Sequence, residues 1–383
     1  MQDIFVVSDN IFSPLGLTAA ENFGQLTKAV TCIKQHDGAT ISPQPFYAAL
    51  FDKDAVFIEG INQNIYTKFE QLLIASISNA LEGNGISADD KNTVLIISST
   101  KGNISLLETE AYTPALQKRI ALHTSAKKVA EYFGFANKPI VVSNACISGL
   151  LAIITGMRLI LSGQYENAVI AGADVITKFV FSGFQSFQAV SPVPCKPFDI
   201  DRCGISLGEG AATIILSSNN KYAKAIKVMG GSVSNDANHI SGPSRTGEEL
   251  AQVINKAMTE ADVPVTAVGF VSAHGTATPY NDEMEAKAIT LAGLQSVPVN
   301  SLKGYYGHTL GAAGLIESIV SMHSLRENLV LPTLGFTELG VSKPINICST
   351  LLHMPLQNCL KTASGFGGCN AAVIFGKGDN TLN

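Results

Sequence analysis

The stretch PIVVSNACISGLLAII, Pro139–Ile154, carries the local pattern from which the rest of the chain is read. Pro139–Val142 is a short β-branched run, as in a buried strand. Ser143, Asn144 and Ala145 form a brief turn. From Cys146 onward, apolar residues continue for several helical turns. Strand, tight turn and helix in succession are the repeating unit of an α/β fold. Cys146 falls at the turn, where a helix start leaves backbone N–H groups free and the helix dipole is positive. A thiol of ordinary pKa, about 8.5, is only a few per cent thiolate at neutral pH. The helix start is expected to lower that pKa and favour the nucleophile. Its N–H groups could also hold an oxyanion formed on an attacked carbonyl. The competing reading is a buried structural cysteine, because cysteine is among the most buried residue types. The segment alone leaves both open.

The same alternation runs along the chain. Asp3–Val7, Thr93–Ser98, Pro139–Val142, Ala168–Ala171 and Ala212–Leu216 read as strands. Phe69–Leu81, Ser125–Phe133 and Gly149–Ser162 read as helices. After the polar cluster Ser217–Lys221 the pattern restarts. Lys224–Gly230, Val268–Ala273, Val297–Val299 and Ala371–Phe375 are strand candidates; Gly247–Ala261, Glu283–Leu291 and Gly311–Glu327 are helix candidates. Two similar α/β halves are expected, residues 1–220 and 221–383, with parallel strands and crossover helices.

Composition narrows the function class. The 383 residues are 46% hydrophobic with mean hydropathy +0.23, enough for a large core. Net charge −5 gives no overall basic footprint, so a nucleic-acid role is not expected. Seven cysteines without a CxxC argue against a disulfide scaffold and a structural zinc site. The N-terminus lacks the pattern of a signal peptide. The longest apolar stretch, Gly149–Leu161, contains Arg158 and falls short of the roughly 20 residues a membrane span needs. A soluble cytoplasmic protein is expected.

Two histidine motifs stand out. SAHGTATPYNDEMEA places His274 just after a strand, with Thr276 and Thr278 in the following turn and Asp282 and Glu285 opening a helix. Such a histidine could face a cleft or simply brace the turn. SLKGYYGHTLGAAGLIE places His308 before a run of small residues that permits close packing. Lys303 and Glu317 flank it; buried together they would form an ion pair, exposed they would be two solvated charges. A zinc site of Cys146, His274 and His308 fits no familiar ligand spacing. Near the C-terminus, SGFGGCNAAVIFG offers a flexible turn at Gly365, Gly367 and Gly368, with Phe366 as a bulky group inside it, ahead of a final strand. It is no dinucleotide fingerprint, because a strand follows it.

Taken in order, the motifs are FSPLG at Phe12–Gly16, NACISG around Cys146, KPFDIDRCGISLGEGA at Lys196–Ala211, SNDANH at Ser234–His239, HGTATPYND from His274, KGYYGH at Lys303–His308 with GAAG after it, and GFGGCN from Gly365. Over nearly the whole chain this series resembles the elongating β-ketoacyl-[acyl carrier protein] synthases of the thiolase superfamily. The resemblance implies an α/β thiolase-like fold, two related βαβαβ halves in a five-layer α-β-α-β-α arrangement. It implies a Cys146–His274–His308 site, in the first half for Cys146 and the second for the histidines and Gly-rich gate. Cys146 would carry the acyl chain and the histidines would stabilise the decarboxylated malonyl thioester. Lys303 and Glu317 match the supporting ion pair, Thr276 and Thr278 the contacts to the phosphopantetheine arm, and Phe366 the gate. No cofactor is implied, since the phosphopantetheine is carried by the acyl carrier protein, the expected partner. A homodimer, or a heterodimer with a related synthase-like subunit, is implied as well. The rivals are a non-catalytic chain-length-factor-like subunit and an acyltransferase that stops at acyl-Cys146.

The chain departs from the family pattern at Asn144, usually Thr, at Cys203, usually Asp, and at Ser364, usually Phe. Ser364 is expected to widen the substrate site. Cys369 stands where Thr is usual and is read as packing. Lys68 and Gln188 stand in segments that are more basic in relatives, so the carrier-docking surface is expected to be weak, displaced or specialised.

Overall fold

The computed structural model describes residues 2–378 except 39, 53, 63, 224 and 237–241. Ten strands form the main sheet: β1 (Phe5–Phe12), β2 (Thr93–Ser98), β3 (Ile140–Val142), β4 (Asn167–Asp174), β5 (Gly210–Ser217), β6 (Lys227–Asn235), β7 (Val268–Ser272), β8 (Val299–Asn300), β9 (Asn358–Gly365) and β10 (Cys369–Gly376). The first five are ordered β3-β2-β4-β5-β1 and the last five β8-β7-β9-β10-β6. Each set therefore follows the same order, 3-2-4-5-1. The directions repeat as well. In each set the third, second and fourth strands are mutually parallel, and the fifth runs antiparallel to the fourth and first. The sets join edge to edge where Phe5 pairs with Lys227, with hydrogen bonds from Val6 N to Ile226 O (2.8 Å) and from Val228 N to Ile4 O (2.9 Å) on either side.

Every residue of β2, β4, β5 and β10 is buried. Strands covered on both faces need apolar residues on both, which is why they read as continuous β-branched runs rather than alternating ones. Helices α1 (Lys68–Leu81) and α2 (Leu122–Phe133) cover the outer face of the first set. Helix α3 (Ser148–Leu161) packs on β2 and β4 of the first set and on β6 and β10 of the second. Helix α4 (Lys178–Ser186) carries Phe184, whose ring lies against those of His308 and Phe366. Helix α5 (Glu248–Glu260) covers β6 and β10 from outside, with α6 (Pro279–Leu291) beside it. A short α7 (Lys303–Tyr306) leads to α8 (Ala313–Glu327), which joins α3 between the two sets and touches β5 and β9. The layers are thus helix, sheet, helix, sheet, helix, the thiolase-like arrangement that the sequence implies.

Helix α8 is buried on every side except at His323, Arg326 and Glu327, as a helix in a middle layer must be. It reaches α3 through glycine. A Cβ on Gly314 would sit 2.5 Å from Leu150 N, and one on Gly149 would sit 2.8 Å from Leu315 N and 2.9 Å from Gly311 O. The two backbones touch, so the starts of both helices are held side by side. The sequence reading missed β9, because NCLKTASG carries little hydrophobic alternation. Helix α3 starts at Ser148, one residue before the Gly149 start read from the sequence. The SNDANH motif runs partly into residues 237–239, outside the described residues.

Gly314→Ala should lower unfolding free energy by about 1–3 kcal/mol, the usual cost of overpacking. Gly24, in the helix Ala19–Leu26, has nothing within 4 Å of an added Cβ. Gly24→Ala should be neutral or raise stability by up to about 1 kcal/mol. Urea unfolding of both variants checks the contrast.

Candidate active site

Strand β3 ends at Val142, and five residues carry the chain to α3. The turn is tight: Ala145 takes φ +44°, Ser148 Oγ donates to Ala145 O (2.6 Å) and Asn144 N donates to Ser148 Oγ (2.8 Å). Cys146 sits at its apex and is buried. The hairpin between β9 and β10 presses against it. A Cβ on Gly365 would come 2.9 Å from both Cys146 N and Cys369 Sγ, so only glycine lets this loop close on the nucleophile turn. The Phe366 backbone N–H lies close enough to the Cys146 sulfur to favour its thiolate form.

His274 follows β7. Its backbone N–H donates to Glu285 Oε1 (2.8 Å), Gly275 N to Glu285 Oε2 (2.6 Å) and Thr276 N to Asp282 Oδ1 (2.9 Å). Asp282 and Glu285 lie one turn apart on α6, so one helix face catches three consecutive peptides. Thr278 caps α6, its Oγ1 accepting from Asn281 N, and lies 2.9 Å from Thr276 Oγ1. His308 lies between α7 and α8, its backbone N donating to Ser206 O (2.7 Å). Just beyond, Gly311 N donates to the buried Asp174 Oδ2 (2.7 Å), fixing the entry to α8.

These elements bring the Cys146 sulfur and one ring nitrogen each of His274 and His308 within 4.8 Å of one another. The imidazole centroids are 5.1 Å apart at 82°. Among the described residues, His274 Nδ1 and both ring nitrogens of His308 are buried without a hydrogen-bond partner. Behind them Lys303 and Glu317 form a buried ion pair. Phe366 stacks on Phe184 of α4 (5.6 Å) and meets Phe187 edge-on (5.2 Å), with Phe184 also edge-on to His308.

The family description "Beta-ketoacyl synthase, N-terminal domain" matches residues 1–221, and "Beta-ketoacyl synthase, C-terminal domain" matches residues 226–337. The chain belongs to the β-ketoacyl synthase family. Among its curated relatives is 3-oxoacyl-[acyl-carrier-protein] synthase 2 of Vibrio cholerae, 32% identical over 80% of this chain and 82% of that protein. Among solved structures, the ishigamide ketosynthase/chain length factor superposes with TM-score 0.90 at 25% identity, over 99% of this chain and 100% of that one. The ketosynthase ApeO in complex with its chain length factor ApeC, from Xenorhabdus doucetiae, gives TM-score 0.85 at 25% identity, over 98% of each. The structure brings Cys146, His274 and His308 together, with the Lys303–Glu317 pair, Phe366 and Phe184 next to them.

Some details correct the sequence reading. Burial pushes the Cys146 thiol up to about 12, with nearby Cys369 adding to it, against the lowering by Lys303 and the Phe366 N–H. The expected activation by the helix start is therefore outweighed by desolvation. Burial, reinforced by Lys303, holds His274 and His308 well below 6.5, so both rings are neutral. Lys68, the one basic residue of its segment, pairs with the buried Glu209 at 2.7 Å. Gln188 is exposed, at φ +54°. Ser364 is buried in β9 and donates to Asn370 Oδ1 (2.8 Å) on β10. Cys369 is also buried, its sulfur 3.5 Å from Phe366 O, and burial pushes it up to about 11. Cys203 is exposed, 3.2 Å from Ser191 Oγ. The sequence reading gave Glu285 and Asp282 no part in holding His274, although their i, i+3 spacing was the available signal. It missed Lys361 and Phe184 altogether.

A thiol set mainly by burial should alkylate faster by about tenfold per unit as pH rises from roughly 7 to 9, without levelling off. Mass spectrometry of Cys146 after timed iodoacetamide pulses checks this. A plateau below about pH 8 would mean that the helix start dominates.

Proposed function

We propose that this chain is a 3-oxoacyl-[acyl carrier protein] synthase of the elongating type, working in fatty-acid or polyketide, aryl-polyene-type, biosynthesis. The observation that carries the reading is a thiol meeting two neutral imidazoles whose buried nitrogens lack protein partners among the described residues. Buried polar groups without partners are costly, and a substrate oxygen placed between them relieves that cost. Residues 1–220 supply the nucleophile and residues 221–383 the histidines and the Gly-rich gate, a division supported by the repeated strand order.

In the first half-reaction Cys146 Sγ attacks the thioester carbonyl of an acyl carrier. The backbone N–H groups of Cys146 and Phe366 stabilise the oxyanion. The thiol proton passes to a neutral imidazole and on to the departing pantetheine sulfur, leaving acyl-Cys146 and the free carrier. In the second, malonyl carrier enters past Phe366, its arm lying against Thr276 and Thr278. Loss of CO2 leaves the electron pair as an enolate whose oxygen accepts hydrogen bonds from His274 and His308. The enolate carbon attacks acyl-Cys146, the C–S bond breaks, and the Cys146 sulfur takes up a proton as the 3-oxoacyl carrier leaves. Each preorganised donor of this kind lowers the barrier by about 3–4 kcal/mol. Lys303 and Glu317 hold the histidine segment from behind. The partner is an acyl carrier protein, and the chain works as a homodimer or beside a related synthase-like subunit, as in the ketosynthase–chain length factor structures it resembles.

Incubation with acyl and malonyl carriers should release CO2 and form a 3-oxoacyl product. His274→Ala and His308→Ala should each cut CO2 release by roughly 10²–10³-fold. Acylation of Cys146 without CO2 would instead mark an acyltransferase. No labelling of Cys146 would mark a non-catalytic chain-length-factor-like subunit.

We further propose that Ser364 enlarges the acyl pocket. Ser364→Phe should shift turnover from bulky or aryl-unsaturated acyl carriers towards short ones, read as relative rates across a carrier panel. An unchanged preference would refute this role.

A further inference from the structure

One fully buried cation next to the site has no part in the reaction as described. Lys361 lies on β9 opposite Ser272 of β7 and is 0% exposed. Its Nζ donates to Ser272 O and Ala273 O, both at 3.1 Å, the last two carbonyls before His274. The same Nζ lies 2.7 Å from Glu317 Oε2, an ion pair without hydrogen-bond alignment, while Lys303 holds Oε1. A buried lysine is expensive to keep charged unless the structure needs the charge.

The surrounding groups come from five elements. Lys303 comes from α7, Glu317 from α8, Glu285 from α6 and Lys361 from β9, while Cys146 and Asp174 stand on the first half's side. Glu285 is the carboxylate that catches the His274 loop. Lys303 and Lys361 therefore face the carboxylates of Glu317 and Glu285, with the buried Asp282 beside Glu285 on α6 and Asp174 tied to Gly311 N. Without Lys361, a single lysine would face both glutamates, and the site would carry an extra buried negative charge where an enolate must form.

We propose that Lys361 is a positioning residue of the condensation site, tying the β7 end before His274 to Glu317 and cancelling the second buried glutamate. The proposal rests on the synthase reading above. Lys361 also helps Lys303 disfavour protonation of both rings. A protonated ring could neither accept the Cys146 proton nor leave the malonyl carboxylate free to depart.

The sign of the effect follows. Removing the cation raises the histidine pKa values, so activity is lost at a higher pH on the acid side. Lys361→Gln retains donors for the two carbonyls and loses only the charge; Lys361→Met loses both. Rates of CO2 release from malonyl carrier should be measured against pH for the wild type and both variants, with circular dichroism and melting curves to confirm folding. For folded Lys361→Gln we expect release to fall about tenfold or more at neutral pH and the acid limb to move up by about one unit. A purely structural lysine would move the melting curve and not the limb. A folded variant with the wild-type profile overturns the proposal. Wild-type protein that releases no CO2 overturns the synthase reading, and this proposal with it. If neither variant folds, ¹⁵N NMR of the wild-type Lys361 side chain decides. A charged Nζ at neutral pH supports the proposal, and a neutral amine overturns it.

Discussion

Helices α3 and α8 meet backbone to backbone at Gly149 and Gly314. Every other relation in the site depends on that approach. The turn bearing Cys146 opens α3, and the segment bearing His308 opens α8. Any side chain at the crossing would push the two helix starts apart by an ångström or more, beyond the tolerance of three groups that meet within 4.8 Å. The small residues Gly311, Ala312, Ala313 and Gly314 are thus a positional requirement of the chemistry. Asp174 completes it from the sheet by accepting Gly311 N, so the end of β4 is tied to the start of α8.

The site is buried, and burial sets its protonation. Burial drives the thiol upward and both imidazoles downward, so all three reactive groups rest uncharged. The charges stand one layer back, as lysines paired with carboxylates and peptide N–H groups capped by Glu285 and Asp282. Asp282 is the exception among them: burial, ahead of repulsion from Glu285, pushes it up to about 7, so its charge is only partial at neutral pH. Neutral groups at the front and fixed charges behind form a preorganised field that needs little rearrangement when charge develops on a substrate.

Much of this was legible in the sequence. Thr93–Ser98 is a strand as read, because a strand buried on both faces leaves an unbroken β-branched run. The strand-turn-helix at Cys146 follows from composition alone, and the motif order leads to the family. What was not legible depends on tertiary context. Nothing in NCLKTASG announces a long central strand, since its neighbours β7 and β10 provide the burial. Lys361 looks like any strand lysine until Glu317, distant in sequence, is placed beside it. The thiol pKa was misjudged for the same reason: the helix start is a local signal, whereas desolvation comes from the β9–β10 hairpin and the distant histidine segments. The pairing of Lys68 with Glu209 was hidden as well, because Glu209 lies far along the chain.

Strand β1 comes first of the described strands, yet its partners on either side are β5 and β6. Roughly 200 residues separate β1 from β5, so at about 5–20 residues per second a ribosome needs roughly 10–40 s to deliver the partner. During that interval the nascent strand has no sheet to join, and its apolar Phe5, Val6, Ile11 and Phe12 remain available for wrong pairings. The same strand that seals one half to the other makes biogenesis late-closing, with the early chain in need of shelter until β5 emerges.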